Sequence, residues 1–314
     1  MPRFDVTIAG ELNLDLILYG LPDQLPPERE LLADKMMLTL GSSSAIVAHN
    51  LAALGSRVGF ISKIGDDSLG QIALDRLRAG GVDVAKVLRA SGGSNTGLTV
   101  ILQHPGWRNI LTYAGTIFEL TFEDIDLDYL ADSSHFHLSS FYLQRGLQPR
   151  VVDLFKHLKS RGLTISLDTN DDPDDQWGAG LLDLLRYVDV FLPNEREALR
   201  MAGVDNLDQA IAKLAGLVPT LVVKRGSAGA TAWHARDMVN MPAMQVAVVD
   251  PVGAGDSFDA GFLHGFVRGL DLATCLALGN AAGALSTTRS GGTEAFRDQK
   301  HREQFLQQAL GKRA

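Results

Sequence analysis

The sequence predicts an α/β protein with a three-layer α/β/α core, in which a mostly parallel β-sheet is covered by helices on both faces. Short apolar runs of the length of buried strands alternate along the chain with longer stretches of helical periodicity. The chain has 314 residues, and 46% of them are hydrophobic, which is enough to bury one large core. We therefore treat residues 1–314 as a single domain.

The predicted elements follow one another from the N-terminus. Apolar runs predict strands, and helical periodicity ended by glycine predicts helices; the valine-rich run Val246–Val249 is expected to be a further strand. The strands are 4–8, 58–61, 135–138, 164–167, 188–192 and 220–223, and the helices are 45–54, 69–79, 149–161 and 272–288.

Two stretches depart from this alternation. Residues 14–40 and 96–114 have the pattern of β-hairpins with turns, such as Pro105-Gly106 between two alternating runs. We expect them to form a small sheet inserted in the domain and lying outside the main one. Such a sheet can serve as a lid, and its unpaired edges favour a homodimer formed through it.

The composition excludes several classes of partner. The formal net charge is −8 and no lysine or arginine run occurs, so we expect neither nucleic acid nor an anionic membrane as a partner. The single cysteine, Cys275, cannot form an internal disulfide. With no apolar signal region and no run of membrane-spanning length, the expected location is the cytoplasm.

The most informative segment runs from Asp250 to Phe262, with the sequence DPVGAGDSFDAGF. Its glycines stand where a helix begins, so the backbone N–H groups of Gly253, Ala254 and Gly255 are expected to form an anion hole. A carboxylate beside bound phosphate is repelled by it, and Asp256 is therefore interpreted as the base that accepts a proton from an attacking hydroxyl. The alternative is a glycine turn in which Asp256 only caps a helix.

This segment resembles the second signature of the ribokinase-like (PfkB) carbohydrate kinases, and the similarity extends over about residues 4–300. The resemblance implies a ribokinase-like fold, ATP and Mg²⁺. Polar residues that follow predicted strands fall where the family binds its ligands, at the carboxyl ends of the strands.

The resemblance implies a sugar-binding set. Asn13 and Asp15 match the opening element of the family, and a carboxylate can accept hydrogen bonds from two neighbouring hydroxyls. Gly41, Ser42 and Ser43 resemble its Gly-Gly segment, although Ser42 replaces the usual second glycine and Ile46 the usual asparagine. Asn170 completes this set. Arg108, in the hairpin of the small sheet, is a further candidate because it could swing over a bound anion; the alternative for Arg108 is a solvated turn residue.

A second set is implied for the nucleotide. Asn194 and Glu197 match the Asn-x-x-Glu element that organises Mg²⁺, largely through water. Lys224, Gly226 and Gly229 resemble the strand-and-glycine segment beside the nucleotide, and Asn280 falls where the family contacts adenine; a buried polar residue is the alternative for Asn280. Asp250 falls beside a monovalent-cation site of the family, so K⁺ stays open as a cofactor.

The predicted activity is ATP-dependent phosphorylation of a primary hydroxyl of a small sugar. The alternatives are a nucleoside kinase of the same fold and a non-catalytic relative that binds sugar or nucleotide. We expect a neutral substrate, because kinases of the family that act on 2-keto-3-deoxygluconate typically carry an arginine where this chain has Asp172, and serines occupy the Gly41 segment. Arg108 is the residue that favours an anionic substrate.

Overall fold

A nine-stranded sheet forms the middle layer of the fold. The computed structural model describes residues 1–178, 180–235 and 237–311, so the last three residues of the predicted domain lie outside it. The strand order is β13-β12-β11-β10-β9-β8-β1-β4-β5, and all neighbours from β5 to β11 are parallel. The strands of this sheet are β1 (Phe4–Ala9), β4 (Val58–Ile64), β5 (Asp83–Arg89), β8 (Ser133–Leu138), β9 (Thr164–Leu167), β10 (Val190–Phe191), β11 (Thr220–Lys224), β12 (Ala230–His234) and β13 (Asp237–Met241).

Helices cover both faces of this sheet. The described helices are α1 (Ser43–Ala53), α2 (Ser68–Ala79), α3 (Leu127–Ala131), α4 (Val151–Ser160), α5 (Leu181–Leu185), α6 (Glu195–Ala202), α7 (Leu207–Ala215), α8 (Ala254–Phe266), α9 (Leu272–Thr287), α10 (Glu294–Arg297) and α11 (Gln299–Leu310). Apolar residues of α3–α7 share one hydrophobic core with the sheet, and those of α1, α2, α8 and α9 share another. The predicted three-layer α/β/α fold is confirmed. Among these helices none has the length and apolar character that crossing a membrane requires.

The predicted small sheet is also confirmed. Its strands are β2 (Leu14–Tyr19), β3 (Lys35–Leu40), β6 (Leu98–His104) and β7 (Trp107–Tyr113), in the order β3-β2-β6-β7. The β6–β7 pair is antiparallel and closes at Pro105-Gly106, where the two-residue turn gives Gly106 a φ of 83°. β2 and β6 are parallel, which joins the two predicted segments in one sheet.

The two faces of the small sheet differ in character. Side chains alternate along a strand, and Ile17 and Ile101 pack against Val252 of the main domain, so their face looks inward. The register places Asp15, Tyr19 and Arg108 on this inner face as well. The outer face is apolar and partly exposed: Met36, Trp107, Leu111 and Tyr113 are between 44% and 62% exposed.

One predicted strand is wrong. Val246–Val249 belongs to no sheet, and Val248 and Val249 are about 60% exposed. The chain leaves the edge strand β13 at Pro242. Residues 246–249 therefore do not run beside a strand with which they could pair. The segment 242–249 instead runs, without regular structure, toward the loop at the start of α8.

The antiparallel pair β12–β13 and the edge strand β5 were not predicted. The residues of β5 and β13 are half-buried or exposed, so their sequences lack the continuous apolar run of a buried parallel strand, whereas β12 begins with three buried residues, Ala230, Thr231 and Ala232.

Candidate active site

A cavity of about 590 Å³ opens at the carboxyl ends of the strands, between the end of β11, the first turns of α8 and the C-terminal half of α9. More than half of the residues predicted for the site line this cavity: Arg108, Asn170, Asn194, Glu197, Lys224, Gly226, Gly229, Ala254, Gly255 and Asn280. The sheet therefore brings together residues that are far apart in sequence, as the rule for open α/β sheets predicts.

The start of α8 exposes unbonded backbone donors to this cavity. Gly253 has a φ of 73°, and a Cβ built on it would lie 2.5 Å from the Cα of Gly292, so only glycine fits here. Within the described chain, the N–H groups of Gly253, Gly255 and Asp256 have no acceptor, whereas that of Ala254 donates to the Pro251 carbonyl at 3.2 Å. Of the three predicted donors, Gly253 and Gly255 thus have N–H groups that are free within the described residues, and the N–H of Asp256 is free as well.

Asp256 lies in the first turn of α8 and is 9% exposed. The Asn170 side chain donates to its Oδ1 at 3.4 Å, and Ser43 also forms a hydrogen bond with it. Burial, reinforced by the negative charge of Asp168, raises the pKa of the Asp256 carboxyl above its usual range. A raised pKa makes this carboxylate a stronger base, and two predicted sugar-binding residues stand beside it.

Lys224 is held between two buried carboxylates. Its Nζ donates to Asp168 Oδ2 at 2.6 Å and to the two oxygens of Asp259 at 3.0 and 3.1 Å. Burial alone would lower the pKa of Lys224, but Asp168 and Asp259 outweigh it and hold that pKa above its ordinary value. Lys224 therefore remains charged at the wall of the cavity.

Asp259 was missed in the sequence, and Asp168 is one of the polar residues that follow the predicted strands. A signal for Asp259 was available: it lies three residues after Asp256 on the same helix, so both carboxylates face the same side. Its partner Lys224 is on a distant strand, and no local pattern joins the two.

Asn194 and Glu197 form a capping box at the start of α6. The Asn194 side chain accepts a hydrogen bond from the N–H of Glu197 at 2.9 Å, and Glu197 Oε2 accepts one from the N–H of Asn194 at 2.8 Å. Glu197 is 5% exposed, and burial, together with the negative charge of Asp168, raises its pKa to about 8. The predicted metal-binding carboxyl is thus protonated at neutral pH in the absence of a cation.

Asp15 and the residues around it form the end of the site beneath the small sheet. Asp15 is 6% exposed, and a Cβ built on Gly41 would lie 2.1 Å from its Oδ1, which explains a glycine at position 41. Burial, followed by repulsion from Asp256 and Asp250, raises the pKa of Asp15 to about 7. The Asn13 amide donates to Thr99 Oγ1 of the small sheet at 3.5 Å.

The Ser42 hydroxyl already forms two hydrogen bonds within the protein. It caps α1 by accepting from the N–H of Ala45 at 3.1 Å, and it donates to the carbonyl of Glu11 at 2.5 Å. Glu11, which the sequence reasoning missed, is 3% exposed and accepts hydrogen bonds from the N–H and hydroxyl of Ser44. Asp172 also faces its own loop, where it accepts from the N–H groups of Asp174, Gln176 and Trp177.

Asn280 and an apolar wall form the opposite end of the cavity. The Asn280 Nδ2 donates to the carbonyls of Met241 and Pro242 at 3.1 and 3.0 Å, which fixes the amide and leaves its Oδ1 as an acceptor. A Cβ on Gly229 would lie 2.0 Å from the Met241 carbonyl, so this turn also requires glycine. The apolar side chains of this wall are Ala243, Met244, Val246, Val248, Phe258 and Ala284.

Asp250 is 1% exposed and lies below the start of α8. Its Oδ1 accepts from the N–H of Val252 at 3.0 Å, and its Oδ2 accepts from the N–H of Gly291 at 3.0 Å and from the hydroxyl of Tyr19 at 2.7 Å. It belongs to the loop that leads into the anion hole and does not line the cavity.

Comparison with known proteins gives one family. The family model described as pfkB family carbohydrate kinase matches residues 3–299. An uncharacterized sugar kinase of Archaeoglobus fulgidus is 31% identical over 78% of this chain and 97% of its own. A 2-dehydro-3-deoxygluconokinase of Bacillus subtilis is 30% identical over 85% of this chain and 86% of its own.

The fold has a close counterpart among solved structures. A proposed ribokinase II of E. coli, solved in complex with ATP and Mg²⁺, superposes with a TM-score of 0.86 and 26% identity, and the match covers 97% of this chain and 99% of that one.

The raised pKa of Glu197 gives a prediction about stability. Between the ordinary pKa of 4.5 and the folded value of about 8, the folded state binds more protons than the unfolded state. The contribution of this group to stability therefore falls as the pH rises through that window. Glutamine mimics the protonated form, so the Tm of Glu197→Gln relative to wild type is expected to rise by about 2 °C or more between about pH 5 and about pH 8.5, without nucleotide or metal.

Thermal unfolding of both proteins across this range measures the difference. The control is Glu195→Gln, on the same helix turn, whose side chain is 45% exposed and should show no such trend. If the Tm difference between Glu197→Gln and the wild type does not change with pH, the Glu197 carboxyl is ionised in the apoprotein.

Proposed function

The chain belongs to the pfkB family of carbohydrate kinases and is an ATP-dependent sugar kinase, and we propose that it phosphorylates a primary hydroxyl of a small neutral sugar with Asp256 as the base. The observation that carries this proposal is the first turn of α8. There a buried carboxylate with a raised pKa lies next to backbone N–H groups that have no acceptor in the described chain.

The proposed reaction takes place across the start of α8. The substrate hydroxyl lies between Asp15 and Asp256, and Asp256 accepts its proton as the oxygen bonds to the γ-phosphorus of ATP and the bond from that phosphorus to the departing oxygen of ADP breaks. The N–H groups of Gly253 and Gly255 stabilise the charge of the phosphoryl group in transit, and the Lys224 ammonium adds positive charge beside them. The Asp168 and Asp259 carboxylates keep Lys224 in position.

The nucleotide is proposed to occupy the end of the cavity around Asn280. Its base lies against the apolar wall, and the free Oδ1 of Asn280 accepts from an exocyclic amino group, which adenine carries. Gly226 and Gly229 let the backbone come close to the nucleotide, because no side chain stands there.

Magnesium is proposed to bind beside Glu197. Within the described part of the chain no three His, Cys, Asp or Glu side chains cluster as a metal cage, so this donor set suits a cation that keeps water and phosphate oxygens as ligands. Bound Mg²⁺ supplies neutralising charge to the phosphate oxygens. Glu197 must lose its proton to take part, and Glu197→Gln is expected to raise the Mg²⁺ concentration needed for half-maximal rate. Activation by K⁺ near Asp250 stays a prediction.

The first test of the proposed chemistry is Asp256→Asn. The amide keeps the shape of the side chain but cannot accept the proton, so kcat should fall by roughly 10²- to 10⁴-fold. A coupled assay of ADP formation measures it, and thermal unfolding checks that the variant is folded. A folded variant with near-normal turnover would refute Asp256 as the base.

The charges around the site support a neutral substrate. Among the described residues that line the cavity, only Arg108 and Lys224 are cationic, and Lys224 is already paired with Asp168 and Asp259. Asp15 and Asp256 face the sugar end, where they favour hydroxyls over a carboxylate or phosphate. The second candidate is an anionic sugar bound by Arg108, which the deoxygluconokinase relative supports. A nucleoside remains the other neutral candidate.

Substrate preference separates these candidates. We expect kcat/KM to be higher for fructose, ribose or a nucleoside than for 2-keto-3-deoxygluconate or fructose 6-phosphate. Preference for either anion by roughly tenfold, or about 1.4 kcal/mol in the transition state, contradicts a neutral substrate. In that event Arg108→Ala should abolish the preference.

A homodimer is proposed to form through the outer face of the small sheet. Its exposed apolar side chains include Trp107, Leu111 and Tyr113, and the edge strands β3 and β7 have no further partner in the described chain. A second copy of the chain offers the same apolar face, and two-fold symmetry makes the surfaces complementary.

Sedimentation tests this pairing. The wild type should sediment as a dimer, and Leu111→Lys should shift it toward the monomer because a charge would be buried at the contact. Leu182→Lys is the matched control, because Leu182 is 48% exposed on α5, outside the small sheet. A wild type that stays monomeric at all concentrations rules out the dimer.

A further inference from the structure

The hydroxyl of Tyr19 joins the small sheet to the loop that begins the anion hole. Tyr19 is the last residue of β2, and its hydroxyl donates to Asp250 Oδ2 at 2.7 Å. Asp250 is 1% exposed, so this hydrogen bond to a carboxylate is shielded from water. Hydrogen bonds to charged groups are about twice as strong as hydrogen bonds between neutral groups, so we expect this contact to hold the sheet against the loop.

The Asp250 carboxylate also accepts hydrogen bonds from the backbone of two loop segments. Its Oδ1 accepts from the N–H of Val252, one residue before Gly253, and its Oδ2 accepts from the N–H of Gly291. Gly253 in turn stands against Gly292, since a Cβ on it would lie 2.5 Å from the Gly292 Cα. The carboxylate of Asp250 therefore fixes both backbone segments that set where the donors of α8 point.

Two further contacts hold the same corner of the sheet in place. Val252 packs against Ile17 and Ile101 of the inner face, so the sheet touches the loop through apolar atoms as well. The Lys35 ammonium donates to Ser290 Oγ at 3.3 Å and lies 5.1 Å from the ring centroid of Tyr19. The sheet thus engages both loop segments, the one at Asp250–Val252 and the one at Ser290–Gly291.

We propose that Tyr19 is a positioning residue for phosphoryl transfer: its hydrogen bond to Asp250 aligns the anion hole only when the small sheet lies over the site. This proposal rests on the proposed kinase function. The sheet that covers the sugar and the donors that receive the phosphoryl group then adopt their working positions together. Misplacing such donors by about 1 Å can cost on the order of 10²-fold in rate.

The variant that isolates the hydroxyl is Tyr19→Phe, which keeps the ring and its packing. We expect kcat to fall roughly tenfold while the KM for the sugar changes by less than about twofold, because the lost contact acts on the transition state. Tyr187→Phe is the matched control. Tyr187 is half-buried after α5, outside the site and the small sheet, and the kinetics of this variant should equal those of the wild type.

A double-mutant cycle with Asp250→Asn shows whether Tyr19 acts through Asp250. If it does, Tyr19→Phe should have little further effect on kcat in the Asp250→Asn background. Effects that multiply in the double variant, or a Tyr19→Phe kcat within about twofold of wild type, would overturn the proposal.

Amide hydrogen exchange gives a readout that needs no substrate. In the apoprotein, Tyr19→Phe should speed exchange of the N–H groups of Val252 and Gly291, which Asp250 holds in hydrogen bonds, and Tyr187→Phe should not. Unchanged exchange at these N–H groups in Tyr19→Phe overturns the positioning role, whatever the substrate and even if Asp250→Asn does not fold. If Tyr19→Phe shows this exchange effect but the wild type phosphorylates no sugar, only the proposed function is refuted.

Discussion

The ammonium of Lys224, clamped between Asp168 and Asp259, is the interaction on which the rest of the site depends. It joins three elements at one point: the end of β9, the end of β11 and the first turns of α8. Leaving any one of these buried charges without its partner would be costly. The clamp therefore fixes the start of α8 against the sheet, and Asp256, one helical turn before Asp259, is fixed with it.

The same cluster gives the cavity an unusual balance of charge. Asp168, Glu197, Asp256 and Asp259 are all buried around the paired ammonium of Lys224. Burial and the neighbouring negative charge of Asp168 raise the pKa of Glu197, Asp256 and Asp259 above their usual ranges.

Much of this arrangement could be predicted from the sequence, because its signals are local. The glycines and Asp256 lie within one short segment, and periodicity gave the main strands and helices. What could not be predicted depends on contacts between distant segments. Asp259 acquires its role from Lys224, 35 residues earlier in the chain, and Tyr19 from Asp250, 231 residues later. The valine run at 246–249 has the composition of a strand, but no sheet edge is free beside it.

The walls of the cavity come from different parts of the chain. Residues between 168 and 287 line most of it, the hairpin of the small sheet contributes Arg108, and the proposed sugar-binding residues from Asn13 to Ser43 come from the first 43 residues. A substitution in the first 43 residues therefore changes the proposed sugar wall directly, and it reaches the start of α8 through contacts such as those of Tyr19 with Asp250 and Ser43 with Asp256. Such a division lets the acceptor-binding residues change in one part of the chain while the cavity walls built from another part are kept.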